Sequence, residues 1–190
     1  MGRGIIAEFS NRNYDRYISF ARIGEGSLGG KARGVAFLNK LIERHSLTNR
    51  YNDISISIPR SIVITTDYFD EFILENGLQY VIDSELSDDE ILSEFVASRL
   101  PEGLISSLKT YLKTVDTPLA IRSSSKLEDS NYQPFAGVYS TYMIPLVENR
   151  DQMLRMLDKA IKSVYASVFY NGSRTYIQTT GNLQSEEKMA

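Results

Sequence analysis

The sequence predicts an α+β fold with more helix than strand. Segments whose apolar residues recur at three- and four-residue spacing alternate with short runs of branched residues, a pattern typical of helices mixed with strands. The predicted strands are few and scattered, which argues against a doubly wound parallel sheet. The 190 residues fit a single domain, or a large piece of one, and suffice to bury a hydrophobic core.

The composition is that of a soluble globular protein and excludes several kinds of site. Charged residues make up 24% of the chain and the net charge is −3, so nothing indicates a nucleic-acid or membrane partner. The chain has no cysteine and one histidine, so any metal would need oxygen ligands. That histidine, His45, ends a predicted helix, where a cation is favourable. Without a long apolar run or a signal peptide, we expect a cytoplasmic protein.

Extended and helical segments alternate in the first half of the chain. Residues 17–23 could form a strand, and helical spacing begins at Lys31. Branched residues alternate over residues 54–65, but Pro59 interrupts them, so this segment is either two short strands or one edge strand. A short helix follows and stops at Gly77.

The second half is predicted to contain three helices and two strands. Ser87 and Glu90 have capping-box spacing at the start of the first helix, and Pro101 lies near the first turn of the second. Residues 117–125 are predicted to be a short buried strand that runs into a polar loop, and residues 136–144 a second strand that could pair with it. The longest helix is predicted over residues 148–172, where apolar residues form one stripe.

The segment GEGSLGGKARG, residues 24–34, holds five glycines and imitates two known phosphate-binding loops. It matches the G-x-G-x-x-G pattern, but a dinucleotide-binding fold also needs an acidic residue after the next strand, which here ends in Pro-Arg-Ser. It fails the P-loop pattern, because Glu25 occupies a glycine position and Ala32 a serine or threonine position. We interpret Gly24 and Gly26 as a flexible lead-in to the helix.

The end of this segment is better suited to an anion. Gly29, Gly30 and Lys31 lie at the predicted start of a helix, where backbone N–H groups and the helix dipole favour negative charge. The lysine adds a full positive charge within reach of a phosphate. A flexible turn with a lysine at the start of the helix is the alternative interpretation.

A second group of polar residues follows the predicted strand at residues 119–121. Arg122, Ser123 and Ser124 offer a forked guanidinium and hydroxyls that suit a polyphosphate. Glu128 and Asp129 come shortly afterwards, with no role that the sequence assigns. A salt bridge for Arg122 and a solvated loop for the two acids remain open as alternatives.

Taken together, the two groups resemble the N-terminal nucleotide-binding region of the phosphoenolpyruvate synthase and pyruvate phosphate dikinase family. The shared pattern is Gly-Gly-Lys at a helix start, then Arg-Ser-Ser, Glu-Asp, Phe-Ala-Gly and Thr-Tyr. In this chain these residues are Gly29, Gly30, Lys31, Arg122, Ser123, Ser124, Glu128, Asp129, Phe135, Ala136, Gly137, Thr141 and Tyr142. The chain departs from many relatives at Lys126, which we expect to face solvent.

The resemblance implies an ATP-grasp-like N-terminal nucleotide-binding lobe, with mixed short strands, several packed helices and an incomplete site. Lys31 and Arg122 would bind the ATP phosphates as catalytic residues. The nucleotide-binding residues that it implies are Gly29, Gly30, Lys31, Arg122, Ser123, Ser124, Gly137 and Thr141. In the family, ATP passes its β-phosphoryl group to a histidine on a separate swivelling domain, AMP is released, and pyruvate or another acceptor receives the phosphoryl group. Mg²⁺ is required.

The resemblance also implies that other parts of the site lie elsewhere. The acceptor histidine, the magnesium ligands and the adenine-binding strands of the family come after residue 190, so we expect residues 1–190 to bind ATP weakly and to show no turnover. The partners expected are ATP and the phospho-histidine domain of the same protein. A non-catalytic relative that senses nucleotides or binds partners remains an alternative, as does, more remotely, an unrelated dinucleotide-binding domain.

Overall fold

The computed structural model describes residues 6–9, 18–125, 139–179 and 187–190, and its mixture of elements confirms the predicted α+β class. The helices are α1 (Gly29–Arg44), α2 (Thr66–Glu75), α3 (Asp88–Ala97), α4 (Glu102–Leu112), α5 (Arg150–Ser167) and α6 (Asn171–Thr179), with a 3₁₀ helix at Leu78–Asp83. The strands are β1 (Ala7–Glu8), β2 (Phe20–Ile23), β3 (Ser61–Ile64), β4 (Leu119–Arg122) and β5 (Thr141–Ile144). Helix predominates over strand, as the sequence predicts.

The described strands form two small sheets. In the first, β1, β2 and β3 run parallel in that order. In the second, β4 and β5 run antiparallel, with Arg122 opposite Thr141, which confirms the pairing predicted for these two segments. Ser124 and Ala190 also exchange backbone hydrogen bonds of 3.0 and 3.2 Å, so residues 187–190 add an antiparallel bridge just past the end of β4.

The extended segment of residues 54–65 is a strand only at β3, which lies at the edge of the described sheet. Its partner β2 has four residues, and all four pair with β3. Before Pro59, the described part of the segment makes an isolated bridge between Ile54 and Tyr51 and a hydrogen bond of 3.2 Å from the Ile56 N–H group to the Thr48 carbonyl, and it forms no strand. The structure therefore has one edge strand rather than two short strands.

Aromatic side chains hold α2, α3 and α5 together. The rings of Phe72 and Phe95 are fully buried with centroids 5.6 Å apart, and Tyr165 meets Phe69 edge-on at 5.0 Å. Each such ring buries roughly 150–250 Å², so these contacts dominate the main core. A smaller cluster joins α1 to the parallel sheet and consists of Phe20, Leu28, Ala32 and Val63.

The predicted helix over residues 148–172 is divided into α5 and the start of α6. Val168 and Phe169 donate their N–H groups to carbonyls three residues earlier, at 3.3 and 2.9 Å, which tightens the last turn and ends α5. The N–H group of Asn171 then donates to the Asp88 carboxylate on α3 at 2.8 Å. Because the acceptor comes from a distant part of the chain, the periodicity of the sequence could not reveal the break.

Candidate functional site

The short β4–β5 ribbon exposes two of the predicted site residues on one face. Leu119 and Ile121 of β4 pack against the core, so the alternation of side chains turns Arg122 to the opposite, open side. Thr141 lies directly across from Arg122 and is also exposed. Side chains of a directly opposed pair share a face, so Arg122 and Thr141 lie on the same face of the ribbon.

The three serines after β4 pack against the start of α1 and are buried. The hydroxyl of Ser124 donates to the Leu28 carbonyl at 2.8 Å and accepts from the Ala32 N–H group at 2.9 Å. In a regular helix the Ala32 N–H group would bond to that same carbonyl four residues earlier. The serine hydroxyl is thus inserted into the first turn of the helix. The Gly30 N–H group likewise donates to the Ser125 carbonyl at 2.8 Å.

Gly29 makes this close contact possible. Its φ angle is +70°, in the left-handed region, and a Cβ atom added there would lie 1.6 Å from the Ser124 carbonyl oxygen. No side chain fits in that space, because even flexible atoms do not approach so closely. The first glycine of the Gly-Gly-Lys motif therefore allows residues 123–125, here called the serine segment, to pack onto α1.

Lys31 lies beside the end of β4. Its Nζ atom is 3.4 Å from the Ser123 hydroxyl, across 92 positions of sequence, and Ser123 directly follows Arg122. The side chain of Arg122 makes no hydrogen bond or ion pair with the residues that the structure describes. The amino group of Lys31 on α1 thus contacts the residue that follows Arg122, although 92 positions of sequence separate them.

The remaining predicted site residues divide into two groups. Gly137 lies outside the described residues, as do Glu128, Asp129 and Lys126. The Ser124 hydroxyl and the Gly30 N–H group already have partners within the protein, so a ligand would have to exchange one of those hydrogen bonds. Their direct contact with a nucleotide stays a prediction.

The interpretation of Gly24 and Gly26 as a flexible lead-in is wrong. The loop of residues 24–27, here called the glycine loop, packs closely against the start of α2. Gly24 has φ +102°, and a Cβ atom there would lie 2.1 Å from Thr65 Oγ1. A Cβ atom at Gly26 would lie 2.6 Å from the Asp67 backbone nitrogen. These glycines are required by close packing rather than by freedom of movement.

Asp67 holds the glycine loop, and the sequence analysis did not single it out. Its carboxylate accepts the Glu25 N–H group at 2.9 Å and contacts the Thr65 hydroxyl. Burial raises the pKa of Asp67, but hydrogen bonds from Thr65, Glu25 and Gly26 outweigh that effect and hold the pKa below its usual value. The only sequence signal is an acid in the first turn of a helix after two threonines, 42 positions from its partner.

The described residues contain neither a metal-binding cluster nor a helix that could span a membrane. Among the described ranges, no three or more His, Asp or Glu side chains lie together in a way that could hold a metal ion. In the same ranges, no helix has both the length and the apolar character needed to cross a bilayer.

Comparison with known proteins identifies a matching protein family. A family model described as pyruvate phosphate dikinase, AMP/ATP-binding domain, matches residues 25–190. The matched range begins inside the glycine loop and includes α1, the serine segment and β5. No curated protein matches the chain significantly.

Proposed function

The chain belongs to the family of pyruvate phosphate dikinase AMP/ATP-binding domains, and from this premise we propose that it forms the phosphate-binding wall of an ATP site in a dikinase-type phosphotransferase. Lys31 and Arg122 bind the ATP phosphates. Thr141 contributes its hydroxyl from the strand beside Arg122. Gly137 lines the same site through its backbone.

The proximity of Lys31 to the residue after Arg122 is the observation that carries this proposal. A phosphate chain that reaches both cationic side chains would be attracted by each of them. Arg122 suits two oxygens of a polyphosphate because its guanidinium is a planar fork, whereas Lys31 supplies a compact point charge. Within the described residues Arg122 is exposed, which supports its assignment to a ligand outside the protein core.

In this proposal, the two glycines and the serines position the cations. Gly29 admits the serine segment to the start of α1, and Ser124 joins the two segments. Gly30 adds a backbone hydrogen bond to Ser125, and Ser123 lies against the amino group of Lys31. These contacts hold the backbone of Lys31 on α1 in place relative to the backbone of Arg122 on β4. A site that binds phosphate by electrostatic attraction requires cations positioned in advance in this way.

In the proposed reaction, the ATP β-phosphoryl group passes to a histidine on another domain of the same protein with the γ-phosphate still attached, and AMP leaves. The γ-phosphate is then released to water or to inorganic phosphate, and pyruvate or another compound is the final acceptor of the β-phosphoryl group. Lys31 and Arg122 would neutralise charge that shifts between the phosphate oxygens in the transition state. Mg²⁺ enters as the partner of the ATP phosphates. We assign it no ligand among the described residues, which hold no cluster suited to it.

Calorimetry with Mg-ATP at low ionic strength tests the proposal. Lys31→Ala and Arg122→Ala should each weaken binding about 10- to 100-fold, because a charge-assisted hydrogen bond contributes about 1.5–3 kcal/mol. Lys40→Ala and Arg44→Ala are matched controls, since both side chains are exposed on α1 away from the ribbon, and both should bind ATP like the unaltered chain.

Two outcomes contradict the proposal. One is the absence of Mg-ATP binding at millimolar concentration in the unaltered chain. The other is unchanged affinity in Lys31→Ala or Arg122→Ala at a melting temperature equal to that of the unaltered chain. Titration with NAD in place of ATP serves as the control for nucleotide specificity, and tighter binding of NAD would favour a dinucleotide-binding domain instead.

A further inference from the structure

We infer that Asp67 is an internal anion that fixes the glycine loop and thereby positions Lys31 for the nucleotide phosphates. The inference rests on the proposed ATP site, because it assigns Lys31 a ligand. It adds a positioning residue on α2, which contributes none of the residues proposed to touch ATP.

The contacts of Asp67 are those that glycine loops usually make with a bound phosphate. Its Oδ2 atom accepts the Glu25 N–H group at 2.9 Å, and the backbone of the next residue, Gly26, helps to lower the pKa of the carboxylate. Consecutive backbone N–H groups directed at one point form a concave anion site. In this chain a carboxylate from the protein fills that site, which explains how the G-x-G-x-x-G pattern can occur without binding a dinucleotide.

The fit around the carboxylate is tight. A Cβ atom at Gly24 would lie 2.7 and 2.9 Å from the two Asp67 carboxylate oxygens, and one at Gly26 would lie 2.8 Å from the nearer oxygen. Thr65 contacts the carboxylate from the other side. The loop and the acid therefore constrain each other, and neither can move alone.

A short, hydrogen-bonded path connects the glycine loop to Lys31. Ser27 and Thr66 exchange two hydrogen bonds of 3.0 Å, one from the Ser27 N–H group to the threonine hydroxyl and one from the Thr66 N–H group to the Ser27 carbonyl. The Ser27 hydroxyl then accepts the Gly29 N–H group at 3.3 Å. Lys31 follows two residues later on the rigid first turn of α1. Since its Nζ atom already lies 3.4 Å from Ser123, a small displacement of the loop would break that contact.

Asp67→Asn tests the inference. Asparagine keeps the shape, but it loses the charge and has one acceptor oxygen where the carboxylate has two, so an amide of the loop loses its partner. Mg-ATP affinity should fall about tenfold. Amide NMR resonances of Glu25, Gly26 and Lys31 should shift in the nucleotide-free chain. Glu71→Gln is the matched control, because it removes the same charge from an exposed site one turn along α2, and it should change neither measurement.

The NMR measurement separates this inference from the proposed function. If the unaltered chain binds no ATP, the proposed function fails, while the Lys31 resonances still show whether Asp67 positions the lysine. A purely local role would lower the melting temperature of Asp67→Asn and leave the Lys31 resonances and the ATP affinity in place, which would overturn the inference.

A second variant covers the case in which Asp67→Asn does not fold. Gly26→Ala leaves every charge in place but directs a methyl group at the Asp67 backbone nitrogen, 2.6 Å away, so the loop must move from the carboxylate. It should also shift the Lys31 resonances and weaken ATP binding about tenfold. Binding and Lys31 resonances like those of the unaltered chain would refute the positioning role.

Discussion

Replacing Gly29 by alanine tests how the serine segment is joined to α1. The added methyl group would lie 1.6 Å from the Ser124 carbonyl oxygen and 2.4 Å from the Ser124 carbonyl carbon. That carbonyl cannot turn aside cheaply, because it accepts the Ala190 N–H group at 3.2 Å while the Ser124 hydroxyl is bound within α1. The substitution therefore forces the helix start and the serine segment apart.

Two costs add to give the expected magnitude. At the φ of +70° found here, the left-handed backbone conformation costs an alanine about 1–2 kcal/mol more than a glycine. Displacing packed backbone costs about 1–3 kcal/mol more. The free energy of unfolding should thus fall by about 2–5 kcal/mol, which for a domain of this size corresponds to a drop in melting temperature of about 4–20 °C.

Thermal and urea unfolding followed by circular dichroism measure this change. Gly34→Ala is the control within the same helix, because nothing lies within 4 Å of its added methyl group and an interior glycine costs a helix about 1 kcal/mol relative to alanine. It should therefore be neutral or slightly stabilising. The reasoning is refuted if Gly29→Ala unfolds at the temperature of the unaltered chain, or if the two variants lose the same stability.

Two further predictions concern acid stability and helix capping. The pKa of Asp67 lies below its ordinary 3.8, so the stability that this group contributes is present above that pH and is lost as the pH falls through the lowered value. Urea midpoints of Asp67→Asn should therefore lie below those of the unaltered chain at pH 6 and approach them progressively as the pH falls below 3.8, and an unchanging gap would contradict this. Ser87→Ala removes the capping box that Ser87 and Glu90 form at the start of α3, and it should lower the unfolding free energy by about 1 kcal/mol, as urea denaturation can measure, whereas Ser93→Ala on the same helix should not.

The sequence predicted correctly those structural elements that depend on residues close together along the chain. The capping box at Ser87 has the predicted spacing and both of its hydrogen bonds. A short strand was predicted within residues 117–125, and β4 lies there, although it is only partly buried. The phosphate-binding role of Lys31 and Arg122 stays a prediction, which rests on their residue types and on the glycines and serines around them.

What escaped prediction depends on partners far along the chain. The break after α5 follows from the Asp88 carboxylate that takes the Asn171 N–H group, and no spacing rule connects those two residues. Gly24 was interpreted as flexible because glycine is permissive, whereas the contacts of Thr65 and Asp67 require its lack of a side chain. A glycine can be needed either for backbone flexibility or for close packing, and only the tertiary contacts around it show which applies.

The serine hydroxyl inserted into the first turn of α1 has a kinetic consequence. Helices ordinarily form from neighbouring residues, but this turn needs Ser124, which lies 92 positions after Ala32. The entropy of closing so long a loop must be overcome before the contact stabilises anything. The middle of α1 can therefore form early, while its beginning is completed late. Substitutions that weaken the contact between Ser124 and α1 should accelerate unfolding more than they slow refolding. Lys31, which lies on this first turn, should likewise reach its final position late in folding.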